Sequence, residues 1–345
     1  MDFDKYKKES PEKYKKIYAW ETAIGLQKVD DLTPSEYLYE IAERNINDEL
    51  SFEEAQNFLN SYYLEKPKDY ERTEEADKVS IRIAELISSN SFVFSLIEYI
   101  NIHKQLFEGI YDHAGQIRTY NISKKEWVLN GNSVAYGNSY NLEDLLEYDF
   151  KKEKEFKYSN LTKEEFIKHI AEFISNLWQI HAFSEGNTRT TAVFLIKYLN
   201  TKGFEINNDL FAKHSWYFRN ALVRANYKNY VKNIFEDISF LEKFFYNLLT
   251  DTKYELKNRY MHIDYKNTIE DISSNTNNQS LEEHAILNVI KYNPTIKQEE
   301  IAIKINKSLR TVKTYMSKMQ EKGLIERKNS KRDGEWIIKK TIPQV

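Results

Sequence analysis

The 345-residue chain has no cysteine, which excludes disulfides, thiolate zinc sites and cysteine nucleophiles. Glycine and proline are scarce, at 9 and 5, so few positions force a turn. With abundant Lys, Glu, Asn and Ile, this favours a mainly α-helical chain. No stretch approaches the roughly 20 apolar residues needed to span a bilayer. The opening Met1-Asp-Phe-Asp-Lys-Tyr6 is too polar for a signal peptide. The expectation is a cytoplasmic protein with no membrane partner. Neither sign of charge dominates, with 50 Lys and Arg against 53 Asp and Glu. No internal repeat persists at a fixed period. The length accommodates two or three domains, each with its own core.

What is present is concentrated in nine residues, His181-Ala-Phe-Ser-Glu-Gly-Asn-Thr-Arg189. Upstream, apolar residues at Phe166, Ile167, Ile170, Phe173, Ile174, Leu177 and Trp178 keep a helical period that ends just before the histidine. Downstream, Thr190 to Leu199 is apolar almost all round, as expected of a helix at the centre of a bundle. The nine residues therefore form a loop feeding a helix N-terminus, where free amides and the helix dipole favour anions. Gly186 lets the backbone approach a phosphate, Asn187 can donate from its side chain, and Arg189 offers a planar fork for phosphate oxygens. Glu185 suits Mg²⁺, which shares hard oxygen ligands with substrate phosphates. His181 is neutral near pH 7 and can accept a proton from an attacking hydroxyl. Singly, each residue reads as a cap, an i,i+4 pair or a turn; together they read as phosphate chemistry.

The segment resembles the His-Pro-Phe-x-Asp/Glu-Gly-Asn-Gly-Arg-x-x-Arg signature of the Fic/Doc family, with matches at His181, Phe183, Glu185, Gly186, Asn187 and Arg189. Ala182, Thr188 and Ala192 depart from it. Thr188 can offer a hydroxyl at the helix start, whereas Ala192 replaces the arginine that in the family helps hold the terminal phosphates of ATP. The resemblance implies a Fic-type helical bundle that transfers AMP from ATP, with Mg²⁺ as cofactor, to a Ser, Thr or Tyr hydroxyl of a protein target. A nucleotide-sensing DNA-binding regulator and a transferase using another donor are the alternatives. His113-Ala-Gly-Gln-Ile-Arg118 resembles an element upstream in the family. Beyond it, Trp127-Val128-Leu129 and Val134-Ala135-Tyr136 flank Asn130-Gly131, a dipeptide suited to a tight hairpin turn. A short β-hairpin flap is expected, and in the family such a flap docks the target segment by main-chain pairing. The family's inhibitory Ser/Thr-x-x-x-Glu-Gly/Asn motif has no match here.

Capping boxes are expected at Thr33 to Glu36, Ser51 to Glu54, Thr162 to Glu165 and Ser280 to Glu283. The domain expectation is a helical accessory region at 1–69, a catalytic domain at 70–255 and a linker at 256–279. In the aromatic helix Trp216 to Tyr227, Arg219 and Asn226 share a face that could border a nucleotide, whereas Arg224 reads as solvated. Residues 280–345 show three helices and two strands around Lys331-Arg-Asp-Gly334, the order of a winged helix-turn-helix. Residues 304–340 hold 12 Lys and Arg against 4 Asp and Glu, as DNA phosphate binding requires. Arg310, Thr311, Lys313, Thr314, Ser317 and Lys318 are the groove-facing candidates, with Lys331 and Arg332 on the wing. Protein contact or pairing of two copies is the alternative use of this module.

Overall fold

The computed structural model describes residues 11–64, 71–206, 208–265, 281–305, 307–328 and 334–339. The chain divides into two compact units, 1–263 and 264–345. The first is mainly α, built from α1 (Pro11–Leu26), α2 (Glu36–Ile46), α3 (Phe52–Leu64), α4 (Glu71–Ser88), α5 (Leu96–Phe107), α6 (Leu142–Glu155), α7 (Lys163–Ile180), α8 (Asn187–Thr201), α9 (Leu210–Ala225) and α10 (Ser239–Leu249). Every residue of α8 from Asn187 to Leu199 is buried, which accounts for its apolar character all round. Helices α4, α5 and α7 pack on it, and an aromatic cluster fills the space between, with the Phe194 ring 5.4 Å from Tyr99 and 5.5 Å from Phe150.

Helix α1 lies against α4 and α9. Gly25 sits at its closest approach to α9, where an added Cβ would come within 2.4 Å of the Ala212 Cα. Any side chain at this position would push the two helices apart. The same unit buries Met261 and Ile263, so its packed part runs past residue 255. The rest of the expected linker, residues 266–279, lies outside the described residues.

Two of the expected capping boxes form. Thr162 and Glu165 exchange reciprocal bonds at the start of α7, and the Ser51 Oγ accepts from the Glu54 amide while Glu54 accepts from the Ser51 amide. The box expected at Thr33 is corrected: Ser35 is the N-cap, accepting from Leu38 N–H. The buried Asp77 carboxylate draws the chain in by accepting from both the Ser35 amide, at 2.8 Å, and its hydroxyl. The box at Ser280 starts outside the described residues.

The expected β-hairpin flap is also corrected. Asn130 and Gly131 do form the tight turn, both with positive φ (52° and 80°) and closed by Asn132 N–H to Leu129 C=O at 3.1 Å. No strand ladder flanks it: Trp127–Leu129 is a 3₁₀ turn. Val128 and Leu129 are consecutive and both fully buried, a pattern that alternating strand faces cannot satisfy. Val134 is buried and Ala135 exposed. The segment is a folded loop carrying one tight turn.

The second unit comprises α11 (Leu281–Tyr292), α12 (Gln298–Lys304), α13 (Leu309–Glu321), β1 (Ile325–Lys328) and β2 (Glu335–Ile338). The strands pair antiparallel from Ile325 opposite Ile338 to Lys328 opposite Glu335. Its core joins Ile286, Ile290, Ile301, Val312, Met316 and Trp336. This is a winged helix-turn-helix.

Candidate active site

Helix α7 delivers His181 as its C-cap in the left-handed conformation, φ 51°, which is uncommon for a residue with a side chain. Arg118 holds that turn. Its guanidinium donates to the carbonyls of His181 (2.7 Å), Tyr120 (2.6 Å), Gly137 (2.6 Å) and Ile180 (3.3 Å). Gly137 N–H donates to Gln179 C=O and His181 N–H to Trp178 C=O. All four terminal carbonyls of α7 thus find donors, and a cation sits at the negative end of its dipole.

The His181 ring is buried between Tyr136, with centroids 4.2 Å apart, and Trp178, at 5.2 Å. Its Nδ1 lies 3.2 Å from the Trp178 carbonyl. A carbonyl only accepts, so Nδ1 carries the proton and Nε2 the lone pair. Nε2 is buried with no partner among the described residues. Burial, then the charges of Lys124, Arg219 and Arg118, push the imidazole well below its usual value despite the Trp178 bond. The ring is therefore a neutral base across the ordinary pH range.

The loop closes on itself. Asn187 Oδ1 accepts from Phe183 N–H at 2.9 Å, and its Nδ2 donates to Phe183 C=O at 2.6 Å. Asn187 thus braces the loop through both ends of its side-chain amide. Gly186 has φ 74°, and a Cβ there would meet the Phe107 ring at 2.3 Å, so both conformation and space demand glycine. Thr190 is the first residue of α8 whose amide finds an acceptor, Gly186 C=O. No protein acceptor is found for the amides of Gly186, Asn187, Thr188 or Arg189 among the described residues. Free amides so placed at the α8 N-terminus suit an anion. Thr188 accepts from the Trp178 indole at 2.9 Å, which leaves its own hydroxyl proton to donate.

Arg189 departs most from expectation. It is 1 % exposed, with Nε 2.8 Å from Asp30, Nη2 2.6 Å from Glu75 and Nη1 3.1 Å from Gln27 Oε1. Burial opposes its charge, but Asp30, Tyr111 and Glu75 outweigh that and hold the guanidinium firmly protonated. The fork expected to be open to phosphate is filled by carboxylates from the α1–α2 connection and α4. Ala192 is fully buried, so an arginine placed there would carry unpaired charge into the core.

Glu185 is half-exposed and pairs with Lys124 at 2.9 Å. With Asp30, Arg72, Glu75, Arg189 and Arg219 it lines a cavity of about 400 Å³; His181 is not part of that lining. Among the described residues no group of three or more His, Asp or Glu could by itself cage a metal. A lone accessible carboxylate fits a Mg²⁺ that completes its shell with substrate phosphates.

Arg219 does face this cavity, and grips Glu126 through two bonds while Glu126 accepts from Tyr136 OH. The loop of residues 124–136 is thereby tied to α9 and to the His181 ring. Asn226 lines a separate cavity of about 330 Å³ with Ser133, Ala135, Asn176 and Gln179, so the shared face predicted for Arg219 and Asn226 serves two spaces. Arg224 is corrected from solvated to buried, at 4 % exposure.

The two buried neutral histidines make stability depend on pH. Burial drives His103 down to about 4 and His181 lower than its usual value. Both bind protons more readily unfolded than folded, so stability is complete above the unfolded value near 6.5 and falls as pH drops. His103 alone is expected to remove about 3 kcal/mol by pH 4. Urea unfolding at pH 7.5 and 4.5 checks this: equal midpoints would contradict it.

In the second unit, Arg310, Lys313, Thr314, Ser317 and Lys318 are exposed along α13, while Val312, Met316 and Met319 face the core. Thr311 is partly covered, close to the Ser308 N-cap hydroxyl. Lys331 and Arg332 lie outside the described residues.

Arg118, His103, Asp30 and Glu75 were not marked as site residues by sequence reasoning. Only Arg118 carried a signal, through the His113–Arg118 element. No helix among the described residues is long and apolar enough to cross a membrane.

Residues 93–199 match the Fic/DOC family model, and residues 283–326 match that of winged helix-turn-helix DNA-binding domains. A protein adenylyltransferase of Bartonella henselae is 30% identical over 181 residues, 48% of this chain and 33% of that relative. A probable protein adenylyltransferase of Sinorhizobium fredii is 27% identical over 128 residues, 37% of this chain and 62% of that relative. The chain thus spans about a third and about three fifths of these two proteins. A crystal structure of a Fic family protein from Desulfovibrio desulfuricans G20 aligns over 99% of this chain and 91% of its own, with 11% identity and a TM-score of 0.43. The chain carries a Fic/DOC domain at residues 93–199 and, after it, a winged helix-turn-helix at residues 283–326.

Proposed function

We propose that the chain is a protein adenylyltransferase that moves AMP from ATP to a Ser, Thr or Tyr hydroxyl of a cytoplasmic protein. The observation that carries this is the His181 Nε2, a buried, unpartnered base on the same loop as four amides without acceptors. Nε2 takes the proton of the target hydroxyl as its oxygen bonds to the α-phosphorus. The bond from that phosphorus to the bridging oxygen of the β-phosphate breaks, and pyrophosphate leaves with the electron pair. The amides of Gly186 to Arg189 and the Thr188 hydroxyl stabilise charge on the phosphate oxygens. Glu185 would hold a Mg²⁺ together with the phosphates, and that ion would offset the charge of the leaving group. The loop of residues 124–136 offers the target segment a wall beside His181, anchored through Glu126 and Arg219. Incubation with α-labelled ATP and Mg²⁺, alone and with lysate, tests the reading: label on protein that vanishes in His181→Ala supports it, and no label with retained ATP binding overturns it.

One observation favours a second reading, a regulator that senses a nucleotide without turning it over: Arg189 is already neutralised by Asp30 and Glu75. On either reading, incoming phosphates compete with these carboxylates. The double variant Asp30→Asn, Glu75→Gln is expected to bind ATP about tenfold more tightly, the scale of an ordinary coupling between sites. Calorimetry that finds unchanged or weaker affinity would count against this competition. A gain in affinity without transfer would favour the regulator.

The winged unit is proposed to bind DNA, with α13 in the major groove. Lys313→Ala and Lys318→Ala are each expected to lower the slope of log K against log salt by about 1 on a duplex. Fluorescence anisotropy across a salt series measures it, and binding without salt dependence would point to protein contact or pairing of copies instead.

A further inference from the structure

His103, on α5, takes no part in the steps above, yet it is fully buried against the catalytic loop. Its ring stacks on Phe183 with centroids 3.8 Å apart and planes 11° from parallel. Gly115 N–H donates to its Nδ1 at 2.8 Å, so Nδ1 carries the lone pair. In a neutral ring the proton is then on Nε2, which donates to the Glu185 carbonyl at 3.0 Å.

The consequence follows from peptide geometry. The Glu185–Gly186 bond is trans and planar, so the Glu185 C=O and the Gly186 N–H point in opposite directions. A carbonyl drawn toward α5 turns the Gly186 N–H away from α5. Glycine is also the residue at which rotation of the peptide costs least. The flipped state would aim a carbonyl oxygen, with its partial negative charge, where the amide now points. Among the described residues no other group donates to the Glu185 C=O, so its orientation rests on His103.

Building on the reading of this loop as a phosphate site, we propose that His103 is a positioning residue whose Nε2–H locks the Glu185–Gly186 peptide, so that the Gly186 amide faces the bound phosphate. Without that donor the loop presents a carbonyl oxygen to the anion.

Two variants of similar bulk separate this from plain packing. His103→Gln places an amide donor near the position of Nε2 and keeps the bond to Glu185. His103→Asn keeps an acceptor near Nδ1 for Gly115 but falls short of Glu185. Both lose the stacked ring, and they differ in which bond survives, the one to Glu185 in the first and the one to Gly115 in the second. Crystal structures are expected to show the peptide unchanged in His103→Gln and flipped in His103→Asn. Pyrophosphate affinity by calorimetry should stay within about threefold of wild type in the first and weaken about tenfold or more in the second. An unflipped peptide in His103→Asn, or equal affinity of the two variants, overturns the proposal. If neither variant folds, the ¹⁵N-histidine spectrum of the wild type decides, since a proton on Nδ1 of His103 excludes the lock. Failure of the phosphate-site reading is recognised separately, as a wild type that binds no pyrophosphate, and the peptide orientation in the crystals still decides the role of His103.

Discussion

His181→Ala is expected to slow the proposed AMP transfer about a thousandfold, within the 10²–10⁴ range of a positioned general base, while ATP affinity changes only a few-fold. The two effects part because different atoms carry them. The proposed phosphate site is built from main-chain amides on a loop braced by Asn187, and none of them requires the imidazole. The base, by contrast, has no substitute nearby: Tyr136 lies against the ring, but burial and the Glu126 charge push its phenol well above its ordinary value, so it stays protonated. Single-turnover kinetics with saturating ATP isolates the chemical step. A variant within tenfold of wild type would remove His181 from the mechanism.

Arg189→Ala is expected to destabilise the first unit by about 3–5 kcal/mol, the cost of removing one partner from a buried ion pair. The reason is what remains behind. Asp30 and Glu75 would face each other without the cation between them, and Gln27, itself fully buried, would lose the donor to its Oε1. The Phe107 ring would also lose the guanidinium 4.8 Å from its centre. At the thermal midpoint this corresponds to a drop on the order of 10 °C for a unit of this size. Arg189→Lys should recover only part of it, because a single ammonium cannot reach three acceptors arranged around a planar fork. A loss below about 1 kcal/mol in urea unfolding would mean that the cluster is an ordinary surface pair.

The contrast between these two residues explains how far the sequence could be read. His181 to Arg189 is a local chemical sentence: the helix before it, the loop and the helix after it lie within forty residues and show in the spacing of apolar positions. The winged unit was legible for the same reason, since its helices and strands follow one another and pack on their neighbours. The partners of Arg189 were not legible. Glu75 and Gln27 stand 114 and 162 positions away in the chain, and no local pattern links an acidic residue to a distant arginine.

His103 escaped notice because a single histidine at an apolar spacing in a helix looks like core, and it is core; its role comes from what it touches. The flap was misjudged for a different reason. Asn130-Gly131 correctly signalled the turn, but turn residues do not report whether the flanks form strands. The consecutive burial of Val128 and Leu129 settled that through tertiary packing. Arg189 was assigned by what its side chain can do in isolation, whereas it is already committed to partners in the folded chain.

The close crossing of α1 and α9 at Gly25 also bears on how the molecule is made. Helix α1 buries Ile17, Ala19, Trp20 and Leu26, but one of its two main partners ends at Ala225. On a ribosome adding about 5–20 residues each second, α1 emerges roughly 10–40 s before that partner is complete. For that interval its apolar face has only α2, α4 and the turn between α1 and α2 to lean on, so newly made chains carry an adhesive surface that is fully covered only when α9 arrives.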